Sequence, residues 1–405
     1  MSSVPSSAPA VIQLPPLIDC HVHFREPGLE HKANIATEST AAYHGGITAV
    51  CDMPNTIPPT QSIAALADKV ARAKATAHTH CHLFFFFGAT AEAHLQELEE
   101  LWTNPAHAEL KTHCCGLKLY LDNSTGNMKS SQPVVEKSFE TCGRLQIVLV
   151  THCEESQINE AAAAQHPYDG PASHSLRRPA ESEVASVQEA IALARNYRTP
   201  LHLAHVSTAQ SLDLVRQARA ADPTLHLTCE VTPHHLFLTT GDYSCCGARL
   251  KVNPPIRPPQ HHEALWAGLL DGTVDCISTD HAPHTIAEKD HCGAAAQPPS
   301  GMPGIEVVVP LLLTVVAGQW PHPTAPKPST LAAAEQQGRP LVVDDVVRLL
   351  HTNPNRIFQL RQPHTPDRIF DLDCEWTVHG KDLHSRCQWS PYEGWRLRGR
   401  AIANE

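Results

Sequence analysis

The sequence predicts an α/β chain: a closed, TIM-like (β/α)8 barrel with a small β-rich extension at its C-terminal end. Three observations predict it. Short apolar runs alternate with amphipathic helical patterns, which argues a parallel sheet. The runs are almost continuously apolar, as strands buried on both faces require. They number about eight, the count that closes a barrel. A doubly wound open sheet is the alternative, but no glycine-rich phosphate loop follows the first run.

Residues 1–16, MSSVPSSAPAVIQLPP, read as a flexible segment. They lack the basic and apolar regions of a signal peptide and the arginines of a transit peptide, so the cytoplasm is the expected location. LIDCHVHF, from Leu17, opens the barrel. GITAVCDM (46–53), HCHLFFFFGA (80–89), CGLKLYL (115–121) and LQIVLVTHC (145–153) follow, then PLHLAHVS (200–207), LHLTCEVTPHH (225–235) and DCISTDHAPH (275–284). Alanine-rich amphipathic segments at 61–75, 91–101, 182–196 and 208–220 supply helices between them, and the tetra-alanine at 161–164 reads as helix too. The barrel is expected over 17–360, with the Pro- and Ala-rich 318–340 a surface insertion rather than structure. In 361–405, DRIFDLDCEWTVHG and CQWSPYEGWRLRG read as short strands packed beside the barrel, with room for help from the N-terminal residues.

Composition narrows the function. A chain of 405 residues, 42% hydrophobic and 18% charged, can bury a large core. A net charge of −11 argues against nucleic-acid binding, and no apolar run approaches the ~20 residues of a membrane span. The 14 cysteines are scattered or paired as Cys114-Cys115 and Cys245-Cys246, with no C-x-x-C. Buried, reduced thiols therefore fit better than a disulfide framework.

The polar residues His21, His23, Asn55, His152, His205 and Asp280 fall toward the C-terminal ends of the runs, where a barrel places its active site. In DCHVHFR (19–25), strand alternation puts His21, His23 and Arg25 on one face: two imidazoles for a metal, and a guanidinium fork for a carboxylate. Lys118, in GLKLYL, either snorkels out of the barrel mouth or, neutralised by burial, adds CO2 to become a metal-bridging carbamate. His152 and His205 each close an apolar run, as hydrogen-bonded strand ends or as ligands. Asp280 needs a partner to offset desolvation, and either a salt bridge or a metal would serve. Taken together, the set makes a binuclear zinc constellation.

The stretches DCHVHFREPG, GITAVCDMPNTIPP, GLKLYL, THCEE, LAHVS, TCEVTPHHLFL, STDHAPHT and SGMPGIEVVVPLLLT, with NPNRIF and QWSPYEG, resemble the dihydroorotase family of the amidohydrolase superfamily. The chain is most similar to the dihydroorotase domain of the animal trifunctional pyrimidine-synthesis polypeptide, from about Leu17 to Gly399. The resemblance implies the superfamily's barrel and reversible cyclisation of N-carbamoyl-L-aspartate to L-dihydroorotate. It puts His21, His23, Lys118, His152, His205 and Asp280 on metal ligands for two Zn2+ ions per chain, bridged by carboxylated Lys118 and a hydroxide. Asp280 also falls on the catalytic base and acid. Arg25 and Asn55 match residues that hold the substrate carboxylate, and His284 a further substrate contact. Asn253, in KVNPP, resembles the bacterial contact to the ring where animal domains carry Arg, and the backbone at Gly301 would complete ring recognition. The loop DNSTGNMKS departs from the animal pattern, with Ser124 or Thr125 able to take the role of its substrate-reaching Thr. A homodimer and association with aspartate transcarbamoylase are also implied.

Two other readings compete. A dihydropyrimidinase/hydantoinase or allantoinase would share the metals but not the demand for a carboxylate clamp, so Arg25 and Asn55 discriminate. A non-catalytic dihydroorotase-like scaffold should have lost metal ligands, and all six residue types are present.

Overall fold

The computed structural model describes residues 11–76, 81–122, 128–290 and 297–402. A first strand, β1 (Val11–Leu14), lies outside the barrel. Among the described residues, eight strands then form one parallel sheet in simple sequence order. They are β2 (Leu17–Val22), β3 (Ile47–Asp52), β4 (His82–Gly88), β5 (Cys114–Tyr120), β6 (Leu149–His152), β7 (Leu201–Leu203), β8 (Leu227–Val231) and β9 (Cys276–Ile277). The ring closes past the end of β9, where His281 bridges Val22 in parallel and His23 N donates to His281 O at 2.8 Å.

Alternation explains what each strand buries. In β4, Phe85 and Phe87 face the outer helical layer, whereas Phe84 and Phe86 face the lumen. Ile18, Ala49, Phe86, Val150 and Ala204 fill that lumen, and Ile357, Phe358 and Leu360 pack against them. Phe358 sets its ring edge-on to Phe86 at 5.6 Å between centroids. Apolar packing thus fills the lower lumen, while Lys118, His152 and Glu230 come from the C-terminal parts of their strands.

The expected helices form where side chains can cap them. Ser62 Oγ accepts from Ala65 N ahead of Ile63–Ala75, and Thr208 Oγ1 from Ser211 N ahead of Ala209–Ala221. Among the described residues no helix is long and apolar enough to cross a membrane.

Two expectations are corrected. Within the segment expected to be flexible, Val11–Leu14 pairs antiparallel with β10 (Arg368–Thr377), from Val11↔Asp371 to Leu14↔Arg368, and β10 pairs with β11 (Arg396–Ile402). The partners lie some 360 residues apart, so no local pattern announces the strand. Residues 1–10 fall outside the described set. The 318–340 segment holds a helix, Ser329–Gln336, whose first amides donate to the Glu263 carboxylate at 2.7 and 2.9 Å. Its Leu331 is buried, and Trp320 stacks on Phe237 at 5.2 Å.

The three-stranded sheet is fastened to the barrel by shape. Phe370, buried on β10, lies over Gly46, where an added Cβ would come within 2.2 Å of the ring. Gly46 also has φ +88°, a conformation that favours glycine. Phe370→Ala is expected to destabilise the protein by ~3–5 kcal/mol, the usual cost of emptying a buried phenyl site. Urea denaturation checks this, and a loss below about 1 kcal/mol would show that the sheet is not anchored through that ring.

Candidate metal centre and substrate pocket

The candidate residues stand at or just beyond strand C-termini. His21 is in β2 and His23 just past it; Lys118 is in β5, His152 ends β6, and His205 and Asp280 follow β7 and β9. Three of the positions carry left-handed backbone: Arg25 (φ 68°), His205 (φ 35°) and Asp280 (φ 47°). For residues other than glycine this costs about 1–3 kcal/mol each and persists only where the surroundings fix it. Arg25 corrects the simple alternation argument. Its strand ends at Val22, and a left-handed turn brings the guanidinium to the pocket wall.

Three of the four imidazoles are oriented by an acceptor on the far side. His21 Nδ1 donates to Glu230 Oε1 at 2.5 Å, and His23 Nδ1 to Asn55 Oδ1 at 2.7 Å. His152 Nε2 donates to Glu154 Oε2 at 2.8 Å. These bonds fix the tautomers, as carboxylate and carbonyl partners do behind metal-binding histidines. His21 Nε2 and His23 Nε2 then point lone pairs at Asp280 Oδ1, 3.4 and 3.0 Å away. His152 Nδ1 likewise faces His205 Nε2 at 3.0 Å.

Electrostatics sharpens the arrangement. Burial pushes His23 down to about 4, so its ring is neutral at physiological pH and Nε2 carries no proton for Asp280. Burial alone would raise Asp280; positive charge at the facing His21 and His23 nitrogens would hold the carboxyl well below the usual range, and a cation bound among them would do the same. An ionised carboxylate facing two nitrogen lone pairs is repulsive unless a cation sits among them. His21, His23 and Asp280 bring their ligand atoms within 4.8 Å of one another. Burial also lowers Lys118 to about 8, so a useful fraction is the neutral amine at neutral pH. Its Nζ, like His205 Nδ1, is buried with no hydrogen-bond partner. By donor chemistry and by these orphaned atoms, the residues present fit a metal centre.

Above them a pocket is walled by Arg25, Asn55, Tyr120, Val252, Asn253, Ala282, Ser300 and Gly301, a mostly polar lining. Arg25 is held by Nε donating to Pro283 O at 3.1 Å, with its NH2 3.1 Å from His284 Nε2. His284 therefore stands behind Arg25, buried, rather than in the wall. Asn253 Oδ1 accepts from His174 Nε2 at 2.8 Å and from Ser300 Oγ at 3.2 Å, which fixes its amide. Ser124 and Thr125 lie outside the described residues.

Several residues at the site escaped the sequence reading. Glu230 holds His21 and also meets His202 Nε2 at 3.2 Å. Glu154 is joined to Arg178 at 2.6 Å, and Arg178 reaches Asp122 at 2.9 Å. Tyr120 OH and His234 Nε2 are buried without a partner, Tyr120 in the pocket wall itself. The available signal was Glu230 and Glu154, carboxylates in strand-end apolar runs whose desolvation demands partners.

With this geometry in view, comparison with known proteins is specific. The family model described as "Dihydro-orotase-like" matches residues 10–211. A dihydroorotase of Halobacterium salinarum is 33% identical over 387 residues, covering 94% of this chain and 82% of that protein. The "Multifunctional protein CAD" of Squalus acanthias is 31% identical over 398 residues, covering 97% of this chain and 14% of that much longer one. Among solved structures, the L-hydantoinase (dihydropyrimidinase) of Arthrobacter aurescens superposes with a TM-score of 0.81 at 24% identity, covering 96% of this chain and 82% of that one. That likeness speaks for the fold. The sequence matches go further, extending over nearly the whole chain and most of the single-activity relative, and by them the chain belongs to the dihydroorotase family.

Proposed function

We propose that this site interconverts N-carbamoyl-L-aspartate and L-dihydroorotate, closing the ring in pyrimidine synthesis and opening it by hydrolysis. The observation that carries the reading is the convergence of Asp280 with the inward nitrogens of His21 and His23, beside a pocket walled by Arg25. The family membership supports it. His21, His23 and Asp280 would hold one Zn2+, His152 and His205 a second, and a carbamate on Lys118 would join them. Bound there, zinc supplies Lewis acidity that polarises an amide carbonyl and brings water's pKa toward neutrality.

The rest is the work of the chain's own groups. Asp280 is ionised at rest, the state a base needs. In hydrolysis it takes the proton from the attacking water as the C–O bond forms and delivers it to the ring nitrogen as the C–N bond breaks. In synthesis it takes a proton from the carbamoyl nitrogen and returns it to the departing oxygen. Arg25 meets the substrate carboxylate as a bidentate donor, and Asn55, whose Oδ1 accepts from His23, meets it through its amide N–H. Asn253 and the backbone at Gly301 face the ring, and His284 supports Arg25 from behind.

A homodimer, association with an aspartate transcarbamoylase and residence in the cytoplasm complete the proposal. Support for association is the match to a segment of much longer multifunctional chains. Support for the compartment is that all 13 cysteines among the described residues are free thiols.

The deciding assay measures turnover of L-dihydroorotate and of a hydantoin alongside metal content. Hydantoin turnover with none of dihydroorotate would move the assignment to a hydantoinase-type amidase. Lys118→Ala should abolish activity and lower bound metal; two zinc ions and wild-type turnover in that variant would remove the carbamate. Asp280→Asn should keep substrate binding while turnover falls by roughly 10²–10⁴, the usual share of acid–base catalysis. Turnover within a few-fold of wild type would remove Asp280 from proton transfer. Arg25→Met should lose ~2–4 kcal/mol of substrate binding, judged from truncated buried charge pairs. In KM for dihydroorotate that is roughly 30- to 700-fold. Zinc content and any turnover of uncharged dihydrouracil should be unchanged, whereas equal losses on both substrates would make Arg25 structural.

A further inference from the structure

The pocket wall facing the ring is built from two loops, one through Val252 and Asn253 and one through Ser300 and Gly301. Neither belongs to a barrel strand, so neither inherits the barrel's rigidity. They meet directly through Ser300 Oγ to Asn253 Oδ1 at 3.2 Å and Lys251 Nζ to Pro298 O at 2.6 Å, and one further buried lysine bonds to both. Lys289, on the short helix Ile286–Asp290, donates from Nζ to Lys251 O at 3.0 Å, Pro299 O at 2.9 Å and Gly301 O at 3.0 Å. The first carbonyl precedes Val252, and the other two flank Ser300. Lys251 O also accepts from Gly301 N at 2.9 Å, so the loops meet at the point where the ammonium sits.

The lysine is itself held in place. Asp290 accepts from Arg249 at 2.7 Å, which fixes the end of the helix. The Trp389 ring lies 5.9 Å from Lys289 Nζ and 6.0 Å from the Arg249 guanidinium carbon. Trp389 Nε1 in turn donates to His284 O at 2.7 Å, directly behind Arg25. Trp389 comes from the C-terminal extension and is pinned there: a Cβ on Gly380 would stand 2.4 Å from its Cα. One connected set of groups thus backs both the ring wall and the guanidinium.

We infer that Lys289 is a positioning residue for substrate recognition, clamping the 251–253 and 299–301 loops through three carbonyls, with Trp389 as its outer brace. It touches neither the reacting atoms nor the metal candidates. Its loss therefore falls on binding of the ring rather than on the chemical step. The inference rests on the proposed function, because the KM it predicts is that for dihydroorotate.

The test is Lys289→Met, which keeps an unbranched side chain one atom shorter and removes the donors, compared with wild type for KM, kcat, zinc content and unfolding midpoint. KM for dihydroorotate should rise on the order of 10- to 100-fold, the effect of removing charge-assisted hydrogen bonds. Zinc content should stay at the wild-type value and kcat should fall by no more than about threefold. Trp389→Phe, which deletes one N–H and keeps a ring, should raise KM by a few-fold. Unchanged KM in a folded Lys289→Met protein overturns the inference, as does a fall in kcat or zinc matching the rise in KM. If Lys289→Met does not fold, Trp389→Phe decides by the same criteria. If neither folds, the clamp is purely structural and the inference fails. Should wild-type protein not turn over dihydroorotate, the functional proposal fails instead, which separates the two.

Discussion

The site depends on where three imidazole N–H groups go. His21 donates its N–H to Glu230, His23 to Asn55 and His152 to Glu154. Once those bonds are made, the opposite nitrogens carry lone pairs, and the barrel aims two of them at Asp280. An acceptor-rich volume of this kind is costly in a dry interior. The burial cost of Glu230 is offset by His21 and His202, and that of Glu154 by Arg178 and His152. Such networks stabilise only when every member is satisfied, which makes the acceptors behind the histidines as constraining as the histidines themselves.

A parallel barrel makes the convergence possible. All of its strands point the same way, so their C-terminal ends share one rim and residues some 260 positions apart, such as His21 and Asp280, become neighbours. Below the rim the lumen is packed with Phe86, Phe358, Val150 and Ile18. Left-handed backbone at Arg25, His205 and Asp280 then turns side chains inward where the strands have ended. That strain has to be met by the surrounding structure, here by bonds such as His23 N to His281 O and Arg25 Nε to Pro283 O.

The second layer of control comes from outside the barrel. The chain ends form one antiparallel sheet that grips the body through Phe370 on Gly46 and through Gly399 against Leu313. The segment between its last two strands carries Trp389, which reaches His284 and the Lys289 ammonium. The extension is thereby coupled to the wall of the pocket.

Much of this was legible in the chain. Eight apolar runs predicted eight strands, because a strand buried on both faces must be apolar whatever its neighbours. The candidate metal residues were legible because each is a chemically expensive group, an imidazole, amine or carboxylate, at the end of such a run. The left-handed turn at Arg25, the placement of His284 behind it and the partnership of β1 with β10 were decided only by tertiary structure. So were Glu230 and Glu154 as the acceptors that set the tautomers. The physical reason is the same in each case. Composition and periodicity report whether a residue must be buried, but the direction of a side chain and the tautomer of a ring are set by partners that only the closed barrel brings within hydrogen-bonding reach.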